Sequence, residues 1–181
     1  GARTEMAPAR HILATGYHGT HVGRLESILA NGLRYSTNEW DWLGDGIYFF
    51  QDSPLRAREW AEEHHGRSNA AVLRAVIRLE DCVDLLDIEW WPTLSSSHRQ
   101  FVEREKVLPK QTATSGAHRL DRAVLNYMVG VLAEDGQNVR CLRGAFVEGE
   151  RLFPASALYS RSHVQIAVRD PLLIEDLTVL G

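Results

Sequence analysis

Three separated segments of the chain carry side chains able to act on a bound ligand. In Tyr17-His18-Gly19-Thr20 an imidazole stands beside a glycine at a strand end, and histidine is the side chain that changes charge near neutral pH. In Gly44-Asp45-Gly46-Ile47-Tyr48-Phe49, two glycines let backbone approach a ligand closely and an aromatic ring follows. In the run from His163 to Pro171, alternation sends Val164, Ile166 and Val168 to one face of a strand and His163, Gln165, Ala167 and Arg169 to the other. Taken singly, each segment has a plainer reading. His18 then closes a turn, the glycines lead into a core strand, and the polar positions of the third segment face water.

The elements that must hold these segments follow from periodicity. Residues 9–17 read as a strand, and Thr20 is the expected N-cap of a helix over 21–30, where Val22, Leu25, Ile28 and Leu29 recur at helical spacing before the Asn31-Gly32 stop. Residues 33–46 form a polar, tryptophan-containing loop, and 47–50 an apolar strand. Asp52-Ser53-Pro54 opens a second helix, with a capping side chain ahead of a proline at the first helical position, and Gly66 closes it. Strands are expected at 71–79, 83–88, 141–147, 163–168 and 172–180, with an amphipathic helix over 121–133. Residues 90–118 read as irregular. This order predicts an α+β domain, with a mostly antiparallel sheet and helices packed outside it, and no repeat or boundary divides residues 1–181.

Composition narrows the classes. The chain has 181 residues, 44% of them hydrophobic, which suits one domain with a sizeable core. A formal net charge of −4 argues against nonspecific grip on nucleic acid, although basic residues outnumber acidic ones between His98 and Arg122. No apolar stretch has the length of a membrane span and no secretory signal is evident, so a cytoplasmic location is expected. Cys82 and Cys141 are far apart in the chain and signal neither a disulfide framework nor a thiolate metal site. His64-His65 at a helix end suits capping better than metal binding. Trp40, Trp42, Trp90 and Trp91 fall in expected loops, where packing on the core is the first reading and stacking on bases the second.

In combination, the segments change the reading. His18-Gly19-Thr20, a helix ending Asn31-Gly32-Leu33, Gly44-Asp45-Gly46-Ile47-Tyr48-Phe49, a helix beginning near Asp52-Ser53-Pro54, and a late strand with Gln165, Val168 and Asp170-Pro171 resemble the poly(ADP-ribose)-polymerase-like and diphtheria-toxin-like ADP-ribosyltransferases across nearly the whole chain. That superfamily is recognised by a His-Tyr-Glu trio. His18 and Tyr48 match its first two members, and the third falls on Gln165. The resemblance implies a split antiparallel sheet with peripheral helices around an NAD cleft, NAD+ as a substrate, no metal and no covalent enzyme intermediate. It implies that His18 donates to the adenosine-side ribose hydroxyls, that Gly19 offers its backbone N–H and C=O to the nicotinamide carboxamide, and that Tyr48 stacks on the nicotinamide ring. Thr20 joins this cofactor-binding set, Ser53 is the candidate hydroxyl for the amide, and Trp60 is the candidate second ring of the sandwich.

The chemistry agrees with those roles. Breaking the nicotinamide–ribose bond generates a ribosyl cation like that of glycoside hydrolysis, so a held ring and nearby electron density matter more than a strong nucleophile. Glutamine at position 165 keeps the shape and the carbonyl of glutamate but is neutral and is no base. The base then comes from the acceptor or from His163, Glu148 or Glu150. The expectation is a mono-ADP-ribosyltransferase acting on a protein or nucleic-acid acceptor, in the manner of a bacterial toxin or defence effector with an antitoxin or inhibitor partner. The alternatives are a tRNA 2′-phosphotransferase-like enzyme and an inactive NAD or ADP-ribose binding module.

Overall fold

The computed structural model describes residues 12–111 and 118–181. The first residues of the expected strand at 9–17 and part of the 90–118 stretch lie outside them. Seven strands form one sheet: β1 (Leu13–His21), β2 (Ile47–Gln51), β3 (Ala70–Arg78), β4 (Cys82–Asp84), β5 (Cys141–Phe146), β6 (His163–Val168) and β7 (Ile174–Val179), in the order β4-β5-β6-β2-β1-β3-β7. Neighbours are antiparallel except β4 and β5. Four helices accompany them among the described residues: α1 (Leu25–Asn31), α2 (Pro54–His65), α3 (Trp91–Arg104) and α4 (Arg119–Glu134). The protein is therefore a mixed α+β fold with a mostly antiparallel open sheet, as the element order predicts.

Each face of the sheet has its own core. On one, Ala14, Ile47, Phe49, Ile77, Ile166 and Val168 pack together and are closed over by Leu173 and Leu177. On the other, Phe50 and Val72 bury Ala57 of α2, while Leu142 and Ala167 bury Leu125 and Met128 of α4. The two helices thus sit side by side on the second face, with β2 and β6 between them.

The strand pairing is uneven across the sheet. β1 pairs with β3 along its whole length, from Leu13↔Arg78 to His21↔Ala70, and β2 pairs with β6 from Ile47↔Val168 to Gln51↔Val164. Between β1 and β2 only Gly16↔Gln51 and Tyr17↔Phe50 are joined. Beyond Tyr17 the two strands are no longer paired in register, which leaves an unpaired seam, the slot, in the middle of the sheet.

Several boundaries differ from the expected ones. β1 runs on to His21, so Thr20 is a buried strand residue and not a helix cap. The cap is His21, whose Nδ1 accepts from Gly23 N at 2.9 Å and opens a short 3-10 turn ahead of α1. The long pairing with β3 holds residues 18–21 extended against their helical neighbours. Ser53 occupies the N-cap position of α2 but its side chain makes no capping bond, and Pro54 alone sets the helix start. Residues 91–104, read as irregular, are α3, which carries Trp91, while Trp90 lies in the 3-10 turn before it. Its serines hid an inward stripe of Leu94, Ser97 and Phe101, at spacings that share one helix face. Cys82 and Cys141, distant in sequence, are register neighbours on β4 and β5, with both thiols free.

Among the described residues, no helix is long and apolar enough to cross a membrane, and no group of three or more His, Cys, Asp or Glu side chains is placed to hold a metal ion.

Candidate active site

His18, Tyr48 and Gln165 lie on β1, β2 and β6, three consecutive strands at the centre of the sheet. His18 Nδ1–H donates to the Tyr48 carbonyl at 2.7 Å, tying the two lips of the slot together. Its ring stands 5.8 Å from that of Phe49. Tyr48 and Gln165 project to the opposite face, the one covered by α2 and α4. The three side chains therefore do not converge on one point: Tyr48 and Gln165 share one face of the sheet and His18 lies on the other.

The slot has a definite polarity. Thr15 O accepts from Asp52 N at 3.0 Å, so Thr15 turns its backbone groups toward β2. Antiparallel pairing alternates that direction residue by residue, and Tyr17 and Gly19 turn theirs the same way. Tyr17 meets Phe50, but Gly19 has no β2 partner. The alternation turns its N–H and C=O toward the slot, where no β2 register partner meets them. Gly19 is also where α2 comes closest: a Cβ there would lie 2.5 Å from the Ala57 carbonyl oxygen and 3.1 Å from Trp60 Cε3. The glycine is thus required by helix packing.

Tyr48 is half-buried, and its hydroxyl is committed. It donates to the Gly44 carbonyl at 2.6 Å and accepts from Leu43 N at 2.9 Å, holding the preceding loop down on the second face. Burial, with the Asp41 carboxylate nearby, drives its phenol far above the usual range. The glycines before it serve the same loop. Gly44 has φ +85°, and a Cβ on it would lie 2.5 Å from Asn126 Oδ1, so this backbone makes a close approach to α4. Asp45 fixes the contact through Asn126 Oδ1 at 2.9 Å and Arg122 Nη2 at 2.5 Å.

Gln165 is held at both ends. Trp42 Nε1–H donates to its Oε1 at 2.7 Å, which fixes the amide orientation because an indole nitrogen only donates. The Gln165 Nε2–H then donates to His163 Nε2 at 2.9 Å, and His163 Nδ1–H donates to the Arg161 carbonyl at 2.7 Å. This chain requires neutral His163. Its pKa is lowered by burial and by the Arg56 charge, against the opposing pull of the Arg161 carbonyl and Glu148. Around it lie Phe50, with ring centroids 4.8 Å apart, and Phe146, at 5.5 Å. Arg56 stands over Phe50 and donates to Glu148 Oε2 at 2.8 Å.

The remaining candidates sort by position. Trp60, on α2, is half-buried and stacked on His64 at 4.0 Å, and the His64 Nδ1–H donates to the Trp60 carbonyl, so this histidine caps its own helix end. Ser53 begins α2 beside the seam, with its hydroxyl unpartnered among the described residues. Trp42 faces both Gln165 and a cavity of about 470 Å³ between α3 and α4, lined also by Leu94, His98, Asp121 and Leu125. Trp40 is exposed. Trp42 and Arg56 are site residues that sequence reasoning did not assign. The loop around Trp42 has no periodicity to orient it, while Arg56 falls within the inward spacing of α2, next to Ala57 and ahead of Ala61.

His18 and His163 are shifted in the same direction. His18 is lowered by burial and by the Arg24 charge, against its bond to Tyr48. A histidine with a depressed folded-state pKa contributes stability that is full above the unfolded value of about 6.5 and is lost as pH falls below it. The melting temperature is therefore expected to hold steady from about pH 8 down to about pH 6.5 and then to decline toward pH 5. Calorimetry across that range checks this, and a flat profile removes both histidines from the account.

No protein-family model matches this chain, and no curated protein matches it in sequence.

Proposed function

We propose that the protein is an NAD+-dependent mono-ADP-ribosyltransferase of the split-sheet type, which cleaves the nicotinamide–ribose bond and passes ADP-ribose to a protein or nucleic-acid acceptor. The observation that carries this reading is the open seam. A carboxamide needs one donor and one acceptor in line, and the unpaired Gly19 N–H and C=O offer that pair at the slot edge. His18 is anchored at the same place, Tyr48 lines the opposite lip, and Trp60 closes over Gly19 from α2. A ring gripped in this way is immobilised as its positive charge disappears, and ordering of this kind supplies much of the barrier reduction.

Gln165 positions and does not ionise. Its amide is buttressed by Trp42 and His163, which suits a hydrogen bond to a ribose hydroxyl and excludes proton abstraction by this residue. Chain elongation to a polymer is not expected. Gln165→Ala is expected to lower turnover about a hundredfold while leaving the circular-dichroism spectrum near that of wild type and costing about 1–3 kcal/mol of stability for the Trp42 and His163 groups left unpaired. Equal activity in that variant would move the catalytic burden elsewhere.

Incubation with labelled NAD+ and a cell lysate, followed by protease or nuclease treatment of separate portions, tests the whole reading. Label in protein or nucleic acid supports transfer. The commitment of both ends of Gln165 also suits a binding module, for which NAD+ would bind without nicotinamide release. Absence of NAD+ binding would end the proposal.

A further inference from the structure

The geometry points to Glu148 as the carboxylate of this site, the acid function that position 165 lacks; the assignment rests on the NAD+ reading above. Glu148 follows β5 and lies where the second face opens between α2 and the β5–β6 connection. Its Oε2 stands 3.9 Å from His163 Nδ1, and His163 in turn contacts Gln165, so carboxylate, imidazole and amide form one continuous row along the cleft.

Two further features distinguish Glu148 from an ordinary surface acid. First, it is held by one oxygen only. Arg56 Nη2 donates to Oε2 at 2.8 Å, and Oε1 has no partner among the described residues. Second, Arg56 itself is buried to 8% exposure; its Nη1 lies 3.8 Å from the Glu59 carboxylate, and neither Nη1 nor Nε makes a hydrogen bond. A buried guanidinium with donors unmet is costly unless a ligand or water completes it, and here it lies over Phe50, whose register partners are Tyr17 and Gln165. The arrangement is a charged pair beside the rings of Phe50 and His163, with hydrogen-bonding capacity left over on both partners.

Glu150 is set apart by the turn between them. Gly149 has φ +89°, a conformation that favours glycine, and the turn leaves Glu148 partly buried and Glu150 exposed, with the Glu150 hydrogen bonds made by its backbone N and C=O to Ser160 and none by its carboxylate among the described residues. His163 is a poorer base than Glu148 because both its nitrogens are already engaged.

The step then balances without a further reagent. The C1′–N bond of NAD+ breaks with its electron pair passing to the nicotinamide nitrogen. A nucleophilic O–H or N–H of the acceptor bonds to C1′, and its proton passes to Glu148.

The test uses the full chain and NAD+ itself, with affinity read by calorimetry and turnover by nicotinamide release. Glu148→Gln preserves the acceptor for Arg56 and is expected to lower kcat at least a hundredfold, with NAD+ affinity within threefold of wild type. Glu148→Asp is expected to restore part of that loss, and Glu150→Gln to match wild type. Equal kcat in wild type and Glu148→Gln, or an equal loss in Glu150→Gln, overturns the assignment while leaving the NAD+ reading intact. A wild-type protein that binds NAD+ without turnover overturns it as well, and one that does not bind NAD+ fails at the functional reading.

Discussion

Tyr48→Ala is expected to abolish NAD+ binding and to destabilise the fold by about 3–5 kcal/mol, the range for truncating a buried aromatic. Two losses combine. The ring leaves the cluster that holds Leu43, Leu142 and Ala167, and the hydroxyl leaves Leu43 N–H and Gly44 C=O without their partner. Tyr48→Phe separates them. It keeps the ring and forfeits only the two bonds, at about 1–3 kcal/mol for the groups left unpaired. If the ring is the stacking surface, Tyr48→Phe retains most of its NAD+ affinity at a temperature where it is folded. Calorimetric titration of both variants decides this, and wild-type affinity in folded Tyr48→Ala would remove Tyr48 from the site.

Gly19→Ala is expected to have the second-largest effect, and for a reason specific to backbone. The added methyl would stand 2.5 Å from the Ala57 carbonyl oxygen, which belongs to a helix backbone and has no rotamer to yield with. α2 must withdraw, carrying Trp60 away from the slot. Overpacking of this kind costs about 1–3 kcal/mol, and loss of NAD+ binding is expected beyond what unfolding explains. Gly130→Ala is the control. It sits in α4 with nothing within 4 Å of the added carbon, so helix propensity predicts a gain of up to about 1 kcal/mol. A Gly19→Ala protein with wild-type stability and affinity would mean that α2 does not press on β1.

The elements that fill a core with apolar side chains at regular spacing were legible in the sequence. β6 matches its expected bounds of 163–168, and α4 extends the expected 121–133 by a few residues. Legibility failed where long-range pairing outweighed local pattern. The helical spacing of Val22 to Leu29 was real, but β3 claimed residues 18–21 first and moved the cap from Thr20 to His21. α3 was missed because its buried Ser97 carries no apolar signal. For the site, the residue types pointed to His18, Tyr48 and Gln165, and these do fall on three consecutive strands. That Gly44 turns for Asn126, and that Trp42 and His163 hold the Gln165 amide, depends on contacts between residues far apart in the chain, which no local spacing encodes.

The early parting of β1 and β2 has a consequence for how the protein behaves in a crowded solution. Unsatisfied strand edges normally lie at the rim of a sheet, where they invite a neighbouring chain to add itself and aggregate. Here such an edge is sunk into the interior, walled by α2 on one side and by the opposite lip on the other. Its place between two interior strands, away from the rim, removes it as a position where another chain could add a strand.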